Sequence, residues 1–122
     1  MAQKQKVLVV DDDEDVRDIA VVTLELQGYE VLCAADGNEA LTSLRKHRDI
    51  RLLLTDIVMP GMNGFELAHR AKQLRPDLAV IYTSGYNTVP NWGEYGVGYG
   101  PLVPKPWRAD ALQEHVAKAL KG

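Results

Sequence analysis

The sequence predicts an α/β fold in which a parallel sheet is covered by helices on both faces. Two observations carry this. Short continuous apolar runs such as Val7-Leu8-Val9-Val10 and Leu52-Leu53-Leu54-Thr55 have the pattern of strands buried on both sides. They alternate with stretches whose apolar residues recur at helical spacing, and the joining loops are short, which implies right-handed crossovers between parallel strands. A third observation concerns the ends of the runs: the first stops on Asp11-Asp12-Asp13 and the second on Asp56.

The first strand covers Val7 to Val10. Val16, Ile19, Ala20, Thr23 and Leu24 then mark a helix, with Asp13, Glu14 and Asp15 at the positive end of its dipole and Gly28 as the residue that stops it. Glu30 to Ala34 is the second strand, Asp36-Gly37-Asn38 a turn, and Ala40, Leu41 and Leu44 one face of a short second helix. Leu52 to Thr55 is the third strand, followed by a Pro- and Gly-rich loop over Met59 to Gly64. Phe65, Leu67, Ala68, Ala71 and Leu74 form a third helix that must end before Pro76, because the residue preceding a proline avoids the α region. Ala79 to Thr83 is the fourth strand. The next helix is due within Asn87 to Pro101, but Pro90, Gly93, Gly96, Gly98 and Gly100 predict that it is short, irregular or absent. Leu102-Val103-Pro104 is the fifth strand, and its flanking prolines suit a sheet edge. Leu112, Val116, Ala119 and Leu120 give a final amphipathic helix.

With 122 residues, 46% of them hydrophobic and 25% charged, the chain is expected to form one domain over residues 1–122. A net charge of −3 with scattered basic residues argues against direct nucleic-acid binding. The polar N-terminus is no signal peptide, and no apolar run approaches the ~18 residues of a membrane span. Cys33 is the only cysteine, which excludes an internal disulfide and a thiolate zinc site; a small buried hydrophobe is its expected role and a reducing cytoplasm the expected compartment.

In an open parallel α/β sheet, ligands sit at the carboxyl ends of the strands. Asp11, Asp12, Asp56, Ser84 and Lys105 all fall there. Clustered carboxylates repel, so a cation is expected among them, and Mg²⁺, or Mn²⁺ in its place, suits an all-oxygen donor set shared with a phosphate. His47, His69 and His115 lie on helices away from this edge. Asp56, alone at the tip of a central strand, is the expected nucleophile toward a phosphoryl group, and Asp11 and Asp12 the metal holders. Lys105 and the Ser84 hydroxyl would neutralise and orient the transferring oxygens. Asp13, Glu14 and Asp15 read as helix-start acids.

These residues resemble the receiver domain of two-component response regulators, of the single-domain chemotaxis type or the type attached to hybrid histidine kinases. The likeness rests on Val9-Val10-Asp11-Asp12, on Asp56-Ile57-Val58-Met59-Pro60-Gly61-Met62-Asn63-Gly64 and on Lys105-Pro106-Trp107, in the family's order and near its spacing. It implies a flavodoxin-like (βα)5 three-layer sandwich with sheet order 2-1-3-4-5. It further implies that Asp56 takes a phosphoryl group from a phosphohistidine of a histidine kinase or histidine phosphotransfer protein. Asp12, Asp56 and the Val58 backbone carbonyl would ligate Mg²⁺, with Asp11 acting through water. Ser84 would be the switch hydroxyl, Gly85 the small residue that leaves the phosphoryl group accessible, and Lys105 its cationic partner, with a cis Lys105-Pro106 bond.

One departure bears on the output. The family commonly carries an aromatic switch residue three positions before the lysine, and here that position is Leu102. Tyr86, Trp92, Tyr99, Leu102 and Trp107 are the candidate surface for a downstream partner, Trp107 being equally a packing residue. Two other readings stay open: a receiver fold used as a scaffold without phosphorylation, and an aspartyl-phosphate hydrolase of the haloacid dehalogenase type. The second is opposed by Val58, where those enzymes place a second acid.

Overall fold

A computed structural model describes residues 4–85 and 98–121. Its elements run β1 (Lys6–Val10), α1 (Glu14–Leu26), β2 (Glu30–Ala34), α2 (Gly37–Lys46), β3 (Ile50–Asp56), α3 (Gly64–Leu74), β4 (Ala79–Ser84), β5 (Leu102–Pro104) and α4 (Ala109–Lys121). The five strands form one sheet in the order β2-β1-β3-β4-β5, every pairing parallel. This is the flavodoxin-like arrangement. The order reverses direction between β1 and β3, so the loops after those two strands open beside each other.

Alternation along the strands builds two cores. Leu8, Val10, Leu53, Val80 and Tyr82 face α2 and α3 and pack with Leu41, Leu44, Phe65, Leu67 and Ala71. Val7, Val9, Leu52, Leu54, Ile81 and Val103 face the other way, onto Ala20, Leu24, Leu112 and Val116 of α1 and α4. The central strands are therefore buried on both sides, which is why they read as unbroken apolar runs. β3 is longer than its apolar run suggests, because Ile50 and Asp56 also pair, and Ser84 belongs to β4.

Two expectations need correction. Asp36-Gly37-Asn38 is no free turn: Asp36 is the N-cap of α2, its side chain accepting from the Glu39 N–H, and Gly37 is already helical. Cys33 is exposed, not buried. It lies on β2, an edge strand, whose outer positions have no second neighbour to cover them.

Other predicted boundaries match. Asp13 caps α1 by accepting from the Asp15 and Val16 N–H groups, and Gly28 leaves that helix with φ +98°. α3 ends at Leu74, ahead of Pro76. β5 is the edge strand that its prolines suggested. The helix expected between β4 and β5 falls largely on residues 86–97, outside the described residues; residues 98–101 are not helical. No helix among the described residues is long and apolar enough to cross a membrane.

Candidate functional site

The carboxyl edge of the sheet gathers side chains that lie far apart in sequence. Asp11 immediately follows β1 and remains tied to the sheet through its N–H, which donates to the Ala34 carbonyl at 3.2 Å. It is 2% exposed, and its carboxylate is spoken for on both sides: Oδ1 accepts from the Asp13 N–H at 2.9 Å and Oδ2 from Lys105 Nζ at 2.8 Å. Asp12, the next residue, is exposed. Asp56 ends β3 and is 7% exposed, with Lys105 Nζ 3.3 Å from its Oδ2. Carboxylate oxygens of Asp11, Asp12 and Asp56 all lie within 4.8 Å of one another. They open into a cavity of about 600 Å³ whose wall includes Val58, Met59, Gly85 and Lys105.

Lys105 comes from the opposite end of the chain. Its backbone N–H donates to the Ser84 carbonyl at 2.9 Å, continuing the β4–β5 ladder by one bond, and the Lys105-Pro106 peptide is cis. That ladder delivers the ammonium to the space between Asp11 and Asp56. Burial opposes its charge, but the hydrogen bonds and charges of Asp11 and Asp56 outweigh this and hold its pKa above the ordinary 10.5. Burial raises the pKa of Asp56 above 3.8; the charge of Asp11 adds to the rise, while Lys105 and a hydrogen bond from the Val58 N–H act against it. One ammonium among three carboxylates leaves the cluster with excess negative charge. An all-oxygen donor set of that charge fits a hard divalent cation.

The remaining predicted residues divide clearly. Ser84 is 1% exposed at the end of β4, beside the site, and Gly85 forms the cavity wall there. A Cβ on Gly85 would meet nothing within 4 Å, so it would project into open space. Trp107 is partly buried against the α1/α4 core, which favours its packing role; it also lines a second, smaller cavity of about 320 Å³ with Val16, Ile19 and Pro106. Leu102 packs partly buried against the opposite core, and Tyr99, 41% exposed, meets His69 of α3 instead of the acidic cavity. Tyr86 and Trp92 lie outside the described residues.

Two supporting residues were not anticipated. Arg17, on the first turn and a half of α1, donates from a terminal guanidinium nitrogen to the Asp11 carbonyl at 2.8 Å and so fixes the acidic turn from behind. Gly64 starts α3 so close to β3 that an added Cβ would lie 2.3 Å from the Asp56 carbonyl oxygen. Its N–H donates to the Ile57 carbonyl at 2.8 Å. The sequence hint was Asn63 followed three residues later by Glu66, a cap pattern that starts the helix at Gly64, and Asn63 does cap α3.

The doubly wound sheet and its acidic carboxyl edge define a receiver-type domain, and the chain belongs to the response regulator receiver domain family, whose sequence profile matches residues 7–117. It is similar to the response regulator receiver protein CpdR of Brucella abortus, with 41% identity over 85 residues, 70% of each chain. A second relative is the C4-dicarboxylate transport transcriptional regulatory protein DctD of Rhizobium meliloti, 33% identical over 98% of this chain but only 26% of the longer protein. Among solved structures, the chemotaxis protein CheY4 of Vibrio cholerae superposes with a TM-score of 0.87 at 31% identity, covering 97% of this chain and 100% of that one. The receiver domain of the hybrid histidine kinase CckA is 36% identical with a TM-score of 0.77, over 94% and 98% of the two chains.

Proposed function

We propose that residues 1–122 act as a single phosphoacceptor receiver unit, working in a cytoplasm, with Asp56 as the acceptor. The observation that carries this reading is the meeting of Asp56 with Asp11, Asp12 and Lys105 at the mouth of one solvent-open cavity. An Asp56 carboxylate oxygen attacks the phosphorus of a phosphohistidine presented by a histidine kinase or a histidine phosphotransfer protein. The new O–P bond forms as the P–N bond breaks, and the departing imidazole keeps the bonding pair and takes up a proton.

Asp12, Asp56 and the Val58 carbonyl would hold Mg²⁺, with Asp11 supporting it through water. The ion, when bound, neutralises charge on the transferring oxygens. Lys105, released from part of its pairing with Asp56 once that carboxylate becomes an acyl phosphate, binds a phosphate oxygen. The Ser84 hydroxyl turns to another, and Gly85 leaves the space they share open. The chain thus catalyses only its own phosphoryl uptake and loss, and its output is a changed surface for a downstream protein.

Incubation with Mg²⁺ and a small acyl phosphate, followed by intact-mass spectrometry, tests the assignment. A mass gain of one phosphoryl group that disappears in Asp56→Asn is the expected result. No gain, or a gain that persists in Asp56→Asn, overturns it.

A further inference from the structure

β5 presents Leu102 where a ring would be needed to transmit a change by rotation. The aromatic chemistry next to this strand sits elsewhere. Tyr82, two residues before Ser84 and so on the same face of β4, is fully buried, with its ring centroid 5.1 Å from that of Phe65 at the start of α3. Its hydroxyl accepts a hydrogen bond from the Tyr99 N–H at 3.1 Å, and its own N–H donates to the Pro101 carbonyl at 2.9 Å. Between those two bonds, Gly100 lies flat on β4, where a Cβ would fall 1.7 Å from the Val80 carbonyl oxygen. Tyr99 and Pro101 are therefore both hydrogen-bonded to Tyr82, and Gly100 between them passes close against the Val80 backbone.

The Tyr99 side chain leaves this anchor and crosses to α3. Its hydroxyl is 3.0 Å from His69 Nδ1, and Lys72 Nζ stands 5.9 Å from its ring centroid. The other nitrogen of His69 is 3.1 Å from the Gln73 amide nitrogen, which can only donate. The imidazole is thus held between the Tyr99 hydroxyl on one side and the Gln73 amide on the other. α3 itself begins at the site, because Gly64 bears on the Asp56 backbone. Two rigid connections from the acidic cavity, one along β4 through Tyr82 and one along α3 from Gly64, thus converge on a single exposed pair, Tyr99 and His69.

We propose that Tyr99, hydrogen-bonded to Tyr82 on β4 and to His69 on α3, is a positioning residue that carries the state of the Asp56 site to the exposed face of α3. This rests on the phosphoacceptor reading above. A shift of the Ser84 end of β4 moves Tyr82, which is too tightly packed to absorb it, and Tyr99 follows through its backbone bond. The readout is a change in the hydrogen bond to His69 and hence in the ring's orientation, next to Lys72 and Gln73.

The test uses the whole chain with Mg²⁺, with and without beryllofluoride as phosphoryl mimic, followed by NMR of the histidine ring nitrogens and of the backbone amides. In the native chain the amides of Asp56 and Gly85 and the ring nitrogens of His69 should all move. Tyr99→Phe keeps the ring and the backbone bond to Tyr82 but loses the hydroxyl. It should leave the Asp56 and Gly85 shifts in place while the His69 response is lost. A His69 response that survives Tyr99→Phe, or a native His69 that stays still while Gly85 moves, overturns the coupling. If Asp56 and Gly85 also stay still, the phosphoacceptor reading fails and the coupling falls with it. Because Tyr99 is 41% exposed, the variant removes no core packing, and unchanged amide dispersion verifies its fold.

Discussion

At the scale of single residues, the site is a balance between burial and charge. Asp56 is held in a place that disfavours its ionised form: burial comes first, and Asp11 adds repulsion. A carboxyl whose pKa is raised on folding binds its proton more tightly in the folded state. Its contribution to stability is therefore most favourable at pH below 3.8 and declines as the pH rises through the window above that value. Asp56→Asn, which removes the charge and keeps the shape, should accordingly raise the metal-free denaturation midpoint at neutral pH, and the advantage should shrink as the pH is lowered toward 4. Urea unfolding of both proteins in chelator at several pH values checks this; an Asn variant less stable than the native chain at pH 7 would contradict it. Lys105 has the opposite character. Lys105→Met should cost about 1–3 kcal/mol in the same assay, less than the full penalty for orphaning a buried charge because the cavity is open to water. Added Mg²⁺ should recover part of that loss. The residue types at this site were legible because carboxylates ending an apolar strand have little structural reason to be there. Their pairing was not, since Asp11 and Lys105 meet across 94 positions and only the fold brings them together.

At the scale of elements, two glycines decide how closely the frame is assembled. Gly64 lets α3 begin against β3, and Gly100 lets the segment before β5 lie on β4. In each case the obstacle to a side chain is a backbone carbonyl, which no rotamer change can relieve. Gly64→Ala and Gly100→Ala should each destabilise the chain by about 1–3 kcal/mol through overpacking. Gly85→Ala, whose Cβ meets nothing, should be close to neutral for stability and show its effect only on phosphoryl uptake and loss. Parallel denaturation curves and acyl-phosphate labelling of the three variants separate these outcomes, and a Gly85→Ala protein as destabilised as the other two would refute the distinction. The helix and strand pattern itself was readable from periodicity, because both faces of the sheet are covered and the central strands had to be apolar throughout. What escaped was anything set by neighbours in space. Cys33 looked like a core residue on composition, yet β2 is an edge strand and leaves it exposed. The turn read at Asp36-Gly37-Asn38 turned out to be a cap and a helix start, because glycine at that point serves a close approach: a Cβ on Gly37 would lie 2.7 Å from the Met62 sulfur.

At the scale of the molecule, folding concentrates three negative charges at one edge of a protein whose net charge is only −3. The unfolded chain separates Asp11-Asp12 from Asp56 by more than forty residues and has no comparable site. A cation that needs all three carboxylates therefore binds the folded state alone, and its binding must appear as stability. At a metal concentration about a hundred times Kd the gain is about 2.7 kcal/mol. The native chain should show a denaturation midpoint that rises steadily with MgCl2 and returns to its starting value on chelation. NaCl at matched ionic strength should give a much smaller rise, because screening weakens the repulsion among the acids without occupying the space between them. Asp12 is the residue that separates these effects. It is exposed and is not one of the two carboxylates bonded to Lys105, so Asp12→Asn should leave the metal-free midpoint nearly where it was. The same change removes one of the proposed ligands, and the MgCl2 series should flatten toward the NaCl one. A native midpoint indifferent to MgCl2, or an Asp12→Asn protein that responds as strongly as the native chain, would mean that the acids are held apart by Lys105 alone and that the edge is not a metal site.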